Sequence, residues 1–270
     1  MEIRYLLDKL KLIESEVEQP KDDEVQEPVK AEPVKQEPQK VDKPEQRLAP
    51  NGKPSKLNAG QYRMVRTPEF KAWFGDWEHD EHKYQSSEIV GANEEPLVCY
   101  RGNVEDFGDT FSYDKQNLTH KSVSNTFGFF FSTDSSDATH YTGDTGNTQA
   151  VFLNIRNPLR LRQEYISDMD EFVKLMKTAN VSLSTDTLDS IVNYLNSIRS
   201  SFDLHDTHKY LTGGGSLLRN DLISSGYDGM MFLENKHEGA IVVAFNPNQV
   251  KSAIGNVGFS TKSDKMHEEL

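Results

Sequence analysis

Two stretches of the chain hold residues suited to chemistry on a bound small molecule. The first is Tyr100-Arg101-Gly102, at the end of the apolar run 96–100. The second is Gly128-Phe129-Phe130-Phe131-Ser132-Thr133, with Ala138 and Tyr141 soon after it. Arginine presents a planar fork of donors that fits phosphate and carboxylate oxygens. Glycine has no Cβ, so a ligand can come close to its backbone. Aromatic faces stack on flat rings. Three consecutive Phe on a strand cannot all face one core, because side chains alternate between faces. At least one of them must meet a second buried face or line a pocket.

The elements that position these residues follow from pattern. The run 96–100 (Pro-Leu-Val-Cys-Tyr) is β-rich and gives way at Gly102. After Thr133 the chain turns polar at Asp134, Ser135, Ser136 and Asp137, as at a helix N-terminus. Upstream, Thr67-Pro68-Glu69 starts a helix carrying Phe70, Trp73 and Phe74 toward Trp77, an aromatic set that reads as a packing anchor. Downstream, 149–155 alternates as a strand and stops at Asn157-Pro158. Ser167 is the expected cap of a helix over 169–178, and Ser184 that of a helix carrying Leu188, Ile191, Val192, Leu195 and Ile198. Gly213-Gly214-Gly215 lacks the Lys-Ser/Thr of a phosphate loop and gives the backbone room before a helix over 217–223. Strands over 227–233 and 240–245 complete the set.

Composition narrows the function classes. The 270 residues carry a formal net charge of −13 and open on a proline-rich, highly charged stretch. Such a chain is not expected to bind nucleic acid, which requires clustered Lys and Arg. The single Cys99, in an apolar strand, excludes an intrachain disulfide and a Cys-based zinc cluster and reads as a buried small residue. His79 and His82 have chelating spacing but polar loop surroundings, and no metal is expected. No apolar run approaches the ~20 residues of a membrane span. The first residues are amphipathic and acid-rich rather than a secretion signal, so a cytoplasmic or virion-packaged protein is expected.

Four segments are expected. Residues 1–18 place Ile3, Leu6, Leu7, Leu10, Ile13 and Val17 at helical spacing, as a helix that docks on a copy of itself or on a larger assembly. Residues 19–59 form a disordered Pro/Glu/Lys-rich linker with Glu-Pro-Val-Lys repeats. Residues 60–260 form the folded domain, and 261–270 a frayed tail.

The order of these pieces resembles the ADP-ribosyltransferase superfamily, most closely the transferase-like domains of bacteriophage polyvalent proteins. The resemblance covers roughly 60–260 and implies an α+β fold with a split β-sheet core and flanking helices. In that superfamily a strand ends in His-Gly or Arg-Gly, and the glycine backbone holds the nicotinamide carboxamide of NAD+. Here Arg101-Gly102 match that pair, next to Tyr100. Phe130, Phe131, Ser132 and Thr133 with Tyr141 match the second element. Residues 227–229 and 240–253 match the third, which in the family supplies a Glu or Gln. Arg stands where polymerase-like members carry His, while Ser132-Thr133 fit the arginine-serine-glutamate branch. The polymerase-like Glu position holds Ile241, leaving Glu238, three residues earlier, or Gln249, just past the strand.

The resemblance implies transfer of ADP-ribose from NAD+ to a protein, with a host protein met by a phage-delivered effector as the expected setting. Arg101, Tyr141, Glu238 and Gln249 would be catalytic, and Tyr100, Arg101, Gly102, Phe130, Phe131, Ser132, Thr133 and Tyr141 would bind the dinucleotide. Two other readings use the same cleft: an inactive domain kept as a virion or interaction module, and an NAD glycohydrolase with water as acceptor.

Overall fold

The computed structural model describes residues 47–79, 85–103, 108–114, 126–139, 142, 147–162, 166, 168–198, 207–233 and 240–268. The chain divides into two units, Met1–Pro44 and Glu45–Leu270. The docking helix expected over 1–18 and the linker up to residue 46 lie outside the described residues.

In the second unit the helices are α1 (Ala59–Met64), α2 (Pro68–Phe74), α3 (Ser135–Thr139), α4 (Met169–Thr178), α5 (Thr185–Ser197) and α6 (Thr207–Ser224). The strands are β1 (Cys99–Asn103), β2 (Phe129–Ser132), β3 (Asn147–Leu153), β4 (Pro158–Arg162), β5 (Gly229–Leu233), β6 (Ile241–Ala244) and β7 (Val250–Ser252). Local chemistry sets the helix ends. Thr67 caps α2, with Pro68 in its first turn, and Ser184 caps α5. The cap of α4 is Asp168 rather than the expected Ser167: its carboxylate accepts the Glu171 N–H at 2.9 Å. The triple glycine falls inside α6 and bends it at Gly215, with φ 46°. A Cβ on Gly213 would stand 3.0 Å from Ile191 Cα, so glycine there lets α6 pack against α5.

Among the described residues the strands form one seven-stranded sheet in the order β4-β5-β6-β2-β1-β3-β7. Only β4 and β5 run parallel. The sheet is made of two halves. β2 pairs with β6 at all four of its residues, and β1 pairs with β3 over its whole length. Between them, β1 and β2 share one registered pair, Tyr100 with Ser132.

Side-chain alternation sorts three apolar clusters onto the two faces. One face of both halves contributes Cys99, Val151, Leu153 and Val250 together with Phe129, Phe131, Met231, Val242 and Ala244 to a single cluster. The opposite face of the β4-β5-β6-β2 half packs on α4, α5 and α6 through Phe172, Met176, Ile191, Leu218 and Leu222. The opposite face of the β1-β3-β7 half packs on α2 through Phe70, Trp73, Phe74 and Phe152. Phe70 alone contacts four rings at 5.1 to 5.7 Å, and each such pair contributes about 0.5–1.5 kcal/mol beyond its buried area. Trp73 and Trp77 are buried, and their indole N–H groups donate to Asn248 O and Val65 O.

Both ends of the folded unit extend past their expected limits. Residues 47–57, assigned by pattern to the linker, pack on the domain. Buried Glu95 accepts from Ser55 Oγ at 2.8 Å, Lys56 N at 3.3 Å and Asn93 Nδ2 at 2.7 Å, and Leu57 is buried beside them. Residues 261–268, expected to fray, are tied to the sheet by Lys251, a fully buried lysine donating to Ser263 O, Lys265 O and the Glu268 carboxylate. Polar composition concealed both attachments, because the partners that hold them are far away in sequence.

A truncation series checks the N-terminal boundary. Removing residues 1–46 should leave the urea midpoint unchanged. Removing 1–58 should cost about 3 kcal/mol, from a buried carboxylate deprived of its Ser55 and Lys56 donors and the loss of Leu57. Equal stability of the two truncations would contradict this boundary.

Candidate active site

From Arg101 and Phe131 onward β1 and β2 no longer pair with each other. Arg101 and Gly102 pair with Gln149 and Thr148 on β3, while Phe130 and Phe131 pair with Val243 and Val242 on β6. The junction of the half-sheets is therefore where the two sequence-matched stretches meet.

Alternation then divides the expected site residues. Tyr100, Gly102, Phe130 and Ser132 lie on the helix-covered face, and Arg101 and Phe131 on the other. Phe129 and Phe131 are buried against Phe111, with centroids 5.4 and 5.6 Å away. Phe130 is half-buried on the opposite face, 6.3 Å from Phe127. This is the two-faced arrangement that three consecutive Phe require, and it leaves Phe130 rather than Phe131 with an accessible ring. Tyr100 packs partly on the α2 cluster, and burial pushes its phenol upward.

Arg101 places its guanidinium 5.4 Å from the Phe111 ring centroid, a cation–π distance. Burial lowers its pKa to about 10, so it remains cationic at neutral pH. Gly102 has a distinct constraint: a Cβ there would sit 2.0 Å from Ala138 O and 3.0 Å from Thr142 Cγ2. The backbone of α3 therefore lies directly on β1 at the junction, and glycine is the residue that allows it. Ser132 is buried; its hydroxyl donates to Asp137 Oδ2 at 3.0 Å and accepts the Asp134 N–H at 3.0 Å. Asp134 in turn accepts from the Ser136 N–H and hydroxyl, which hold its carboxyl below the usual range. These bonds turn the chain from β2 into α3 and fix that helix over Gly102.

Tyr141 and Glu238 lie outside the described residues, and their chain neighbours are placed. Thr142 lies against Gly102, its hydroxyl donating to Thr139 O at 2.9 Å. Ala240, two residues after Glu238, accepts the Thr133 N–H at 3.0 Å, and Ile241 pairs with Ser132. One row, Tyr100–Ser132–Ile241, thus crosses β1, β2 and β6.

Gln249 is elsewhere in its role, and the expectation that it supplies a catalytic polar group is corrected. Its Oε1 accepts from Phe245 N at 2.9 Å and Asn246 N at 2.7 Å. Its Nε2 donates to Asn154 O at 3.1 Å and Asp228 O at 2.8 Å. An amide oxygen has two lone pairs and an amide nitrogen two hydrogens, so the buried group is fully spent on backbone. His79 Nδ1 pairs with Asp76 Oδ2 at 2.6 Å, and His82 lies outside the described residues. No cluster of three or more potential metal ligands occurs among the described residues, and none of their helices is long and apolar enough to cross a membrane.

The sequence reading missed Phe111. It is the ring that buried Phe129 and Phe131 and the Arg101 cation all share, and an isolated Phe between polar neighbours gave no periodic signal. A hollow of about 470 Å³ lies at the open edge of β4, lined by Glu88, Pro158, Arg160, Leu175 and Tyr227 among others. Strands β5 and β6 separate it from the junction, and Arg160 is bridged there to Glu88 at 2.6 Å. Of the sequence-matched residues only Tyr227 lines it, so the junction is the stronger candidate.

Two substitutions probe this geometry. Gln249→Ala should cost about 4 kcal/mol in urea unfolding, since several buried backbone groups lose their partners. Gln249→Glu should be similarly damaging, because a carboxylate cannot donate to the Asn154 and Asp228 carbonyls. Gly102→Ala should cost about 3 kcal/mol by overpacking α3. Wild-type stability in Gln249→Glu would refute the structural role of Gln249.

Residues 91–260 match the family model described as ADP-ribosyltransferase in polyvalent proteins, which is well over half of the chain. No curated protein and no solved structure matches. The chain belongs to this ADP-ribosyltransferase family.

Proposed function

We propose that this family member uses NAD+ to mono-ADP-ribosylate a protein, with a phage-encoded effector acting on a host protein as its setting. The observation that carries the reading is the meeting of three family-matched segments on the row Tyr100–Ser132–Ile241. NAD+ supplies an ADP-ribosyl group on nicotinamide, which leaves as a neutral molecule while positive charge develops on the ribose carbon. The protein's work is orientation and electrostatics. Arg101, cationic at neutral pH, offers its fork to a phosphate or ribose oxygen. Tyr100, Phe130 and Tyr141 are the aromatic faces available for the nicotinamide, and the Gly102 backbone is the partner for its carboxamide. Ser132 and Thr133 shape the second wall.

Glu238 is the carboxylate of this proposal. It precedes β6 in the connection 234–239, and its role is to orient the attacking group and face the developing charge. The carbon–nitrogen bond to nicotinamide breaks, a bond from the acceptor side chain to the ribose carbon forms, and the acceptor's proton is lost to base. An inactive binding module is the second reading. It is favoured by Ile241, an apolar side chain packed on the helix-covered cluster where polymerase-like relatives carry Glu. Residues 1–18 are proposed to dock on a larger assembly or on a second copy, in the host cytoplasm or the virion.

Labelled NAD+ incubated with the protein and a bacterial lysate tests this directly. Label should appear on discrete protein bands, and Arg101→Ala and Glu238→Ala should each lower it about 100-fold. Nicotinamide release without label would replace transfer by hydrolysis. Full transfer by Glu238→Ala would remove the carboxylate assignment.

A further inference from the structure

The C-terminal segment 258–268 passes beyond β7 and continues the hydrogen-bonding of the sheet. Ser252 N donates to Met266 O at 3.0 Å, and Met266 N donates to Asp109 O at 2.7 Å. Thr110 and Lys265 form an antiparallel bridge. His267 meets Asp109 Oδ1 twice, through its backbone N–H at 2.8 Å and through Nδ1 at 2.6 Å. The far end of the segment is fastened as well: Glu268 N donates to Asn256 Oδ1 at 2.7 Å, and Gly258 N donates to Glu268 O at 2.9 Å. Buried Lys251 holds its middle.

What this strap grips is the short segment 108–114. That segment carries Phe111, whose ring contacts Phe129, Phe131 and the Arg101 guanidinium. It also carries Tyr113, whose ring lies tilted against Phe129 at 4.6 Å and whose hydroxyl donates to Phe245 O at 2.7 Å. Met266 is itself buried in the cluster that contains Phe111 and Cys99. The strap thus lies one ring away from Arg101 without being placed at the substrate.

We propose that the C-terminal strap positions Arg101, acting through Asp109 and Phe111, and that dinucleotide affinity depends on it. This rests on Arg101 as a residue that binds NAD+. Asp109 and His267 are positioning residues, since they act on Arg101 through the strap and the Phe111 ring.

Cys99 provides a separate readout. It is the chain's only cysteine, fully buried in the same apolar cluster as Phe111 and Met266, and burial pushes its thiol up to about 12. It should react slowly with a disulfide thiol reagent until the strap loosens. The full-length Asp109→Ala, Asp109→Asn and Arg101→Ala variants should be titrated with NAD+ by calorimetry, with Cys99 labelling measured in parallel. Asp109→Ala should weaken NAD+ binding about tenfold through misplacement of Arg101, and raise the labelling rate by a similar factor. Asp109→Asn, which keeps an acceptor for His267 N, should stay near wild type in both. If Asp109→Ala lowers the melting temperature substantially, His267→Ala, at an exposed side chain, carries the test and should give a smaller shift of the same sign. Faster labelling with unchanged NAD+ affinity, while Arg101→Ala loses affinity, would overturn the strap proposal alone. Unchanged affinity in Arg101→Ala would overturn the assignment of Arg101, and the strap proposal with it.

Discussion

The Gln249 side-chain amide joins chain segments that are distant in sequence: Asn154 after β3, Asp228 before β5, and Phe245-Asn246 after β6. Asn154 follows one half of the sheet, and the other two belong to the other half. With a single β1–β2 pair at the junction, strand pairing alone would connect the halves weakly. The buried amide, which meets all four of its hydrogen-bonding demands, adds a side-chain connection between them. Between these two connections the inward faces of both halves form one apolar cluster, so the aromatic content of β2 is spent mainly on cohesion. A buried amide satisfied this fully is costly to disturb, because each orphaned partner carries its own desolvation penalty.

The candidate site follows from the same geometry. Because the halves part beyond the Tyr100–Ser132 pair, from Arg101 and Phe131 onward, α3 can lie over β1, and its carbonyl at Ala138 takes the space a Cβ on Gly102 would need. Residue alternation then sends Arg101 toward Phe111 and leaves Phe130 and Tyr100 on the other face. The junction therefore offers a cation from one face and aromatic surface from the other. A dinucleotide with a flat ring at one end and phosphates at its middle requires both kinds of contact.

Much of the fold was legible in the sequence for identifiable reasons. Thr67-Pro68 and Ser184 are strong caps, and α4 and α5 carry clear apolar periodicity. The three-Phe argument required two faces, since alternation on a strand is a steric fact, and the fold then identified Phe130 as the ring on the second one. The hidden parts are those set by long-range polar contacts. Gln249 looks like a surface residue after Asn-Pro-Asn, and only the folded chain reveals its four backbone partners. Lys251 is a lysine with no exposed surface, a placement composition argues against, and it holds a tail whose polar sequence suggested fraying. Ser55 and Glu95 are 40 residues apart, so the packing of 47–57 left no local trace.

The most direct measurement of the central claim, that the junction of the half-sheets is the dinucleotide site, is an NMR titration of the backbone amides with NAD+. The account predicts that the largest shifts cluster at Arg101, Gly102, Phe130, Ser132 and Thr142. Shifts confined to Leu159, Arg160 and Tyr227, beside the hollow at the β4 edge, would contradict it.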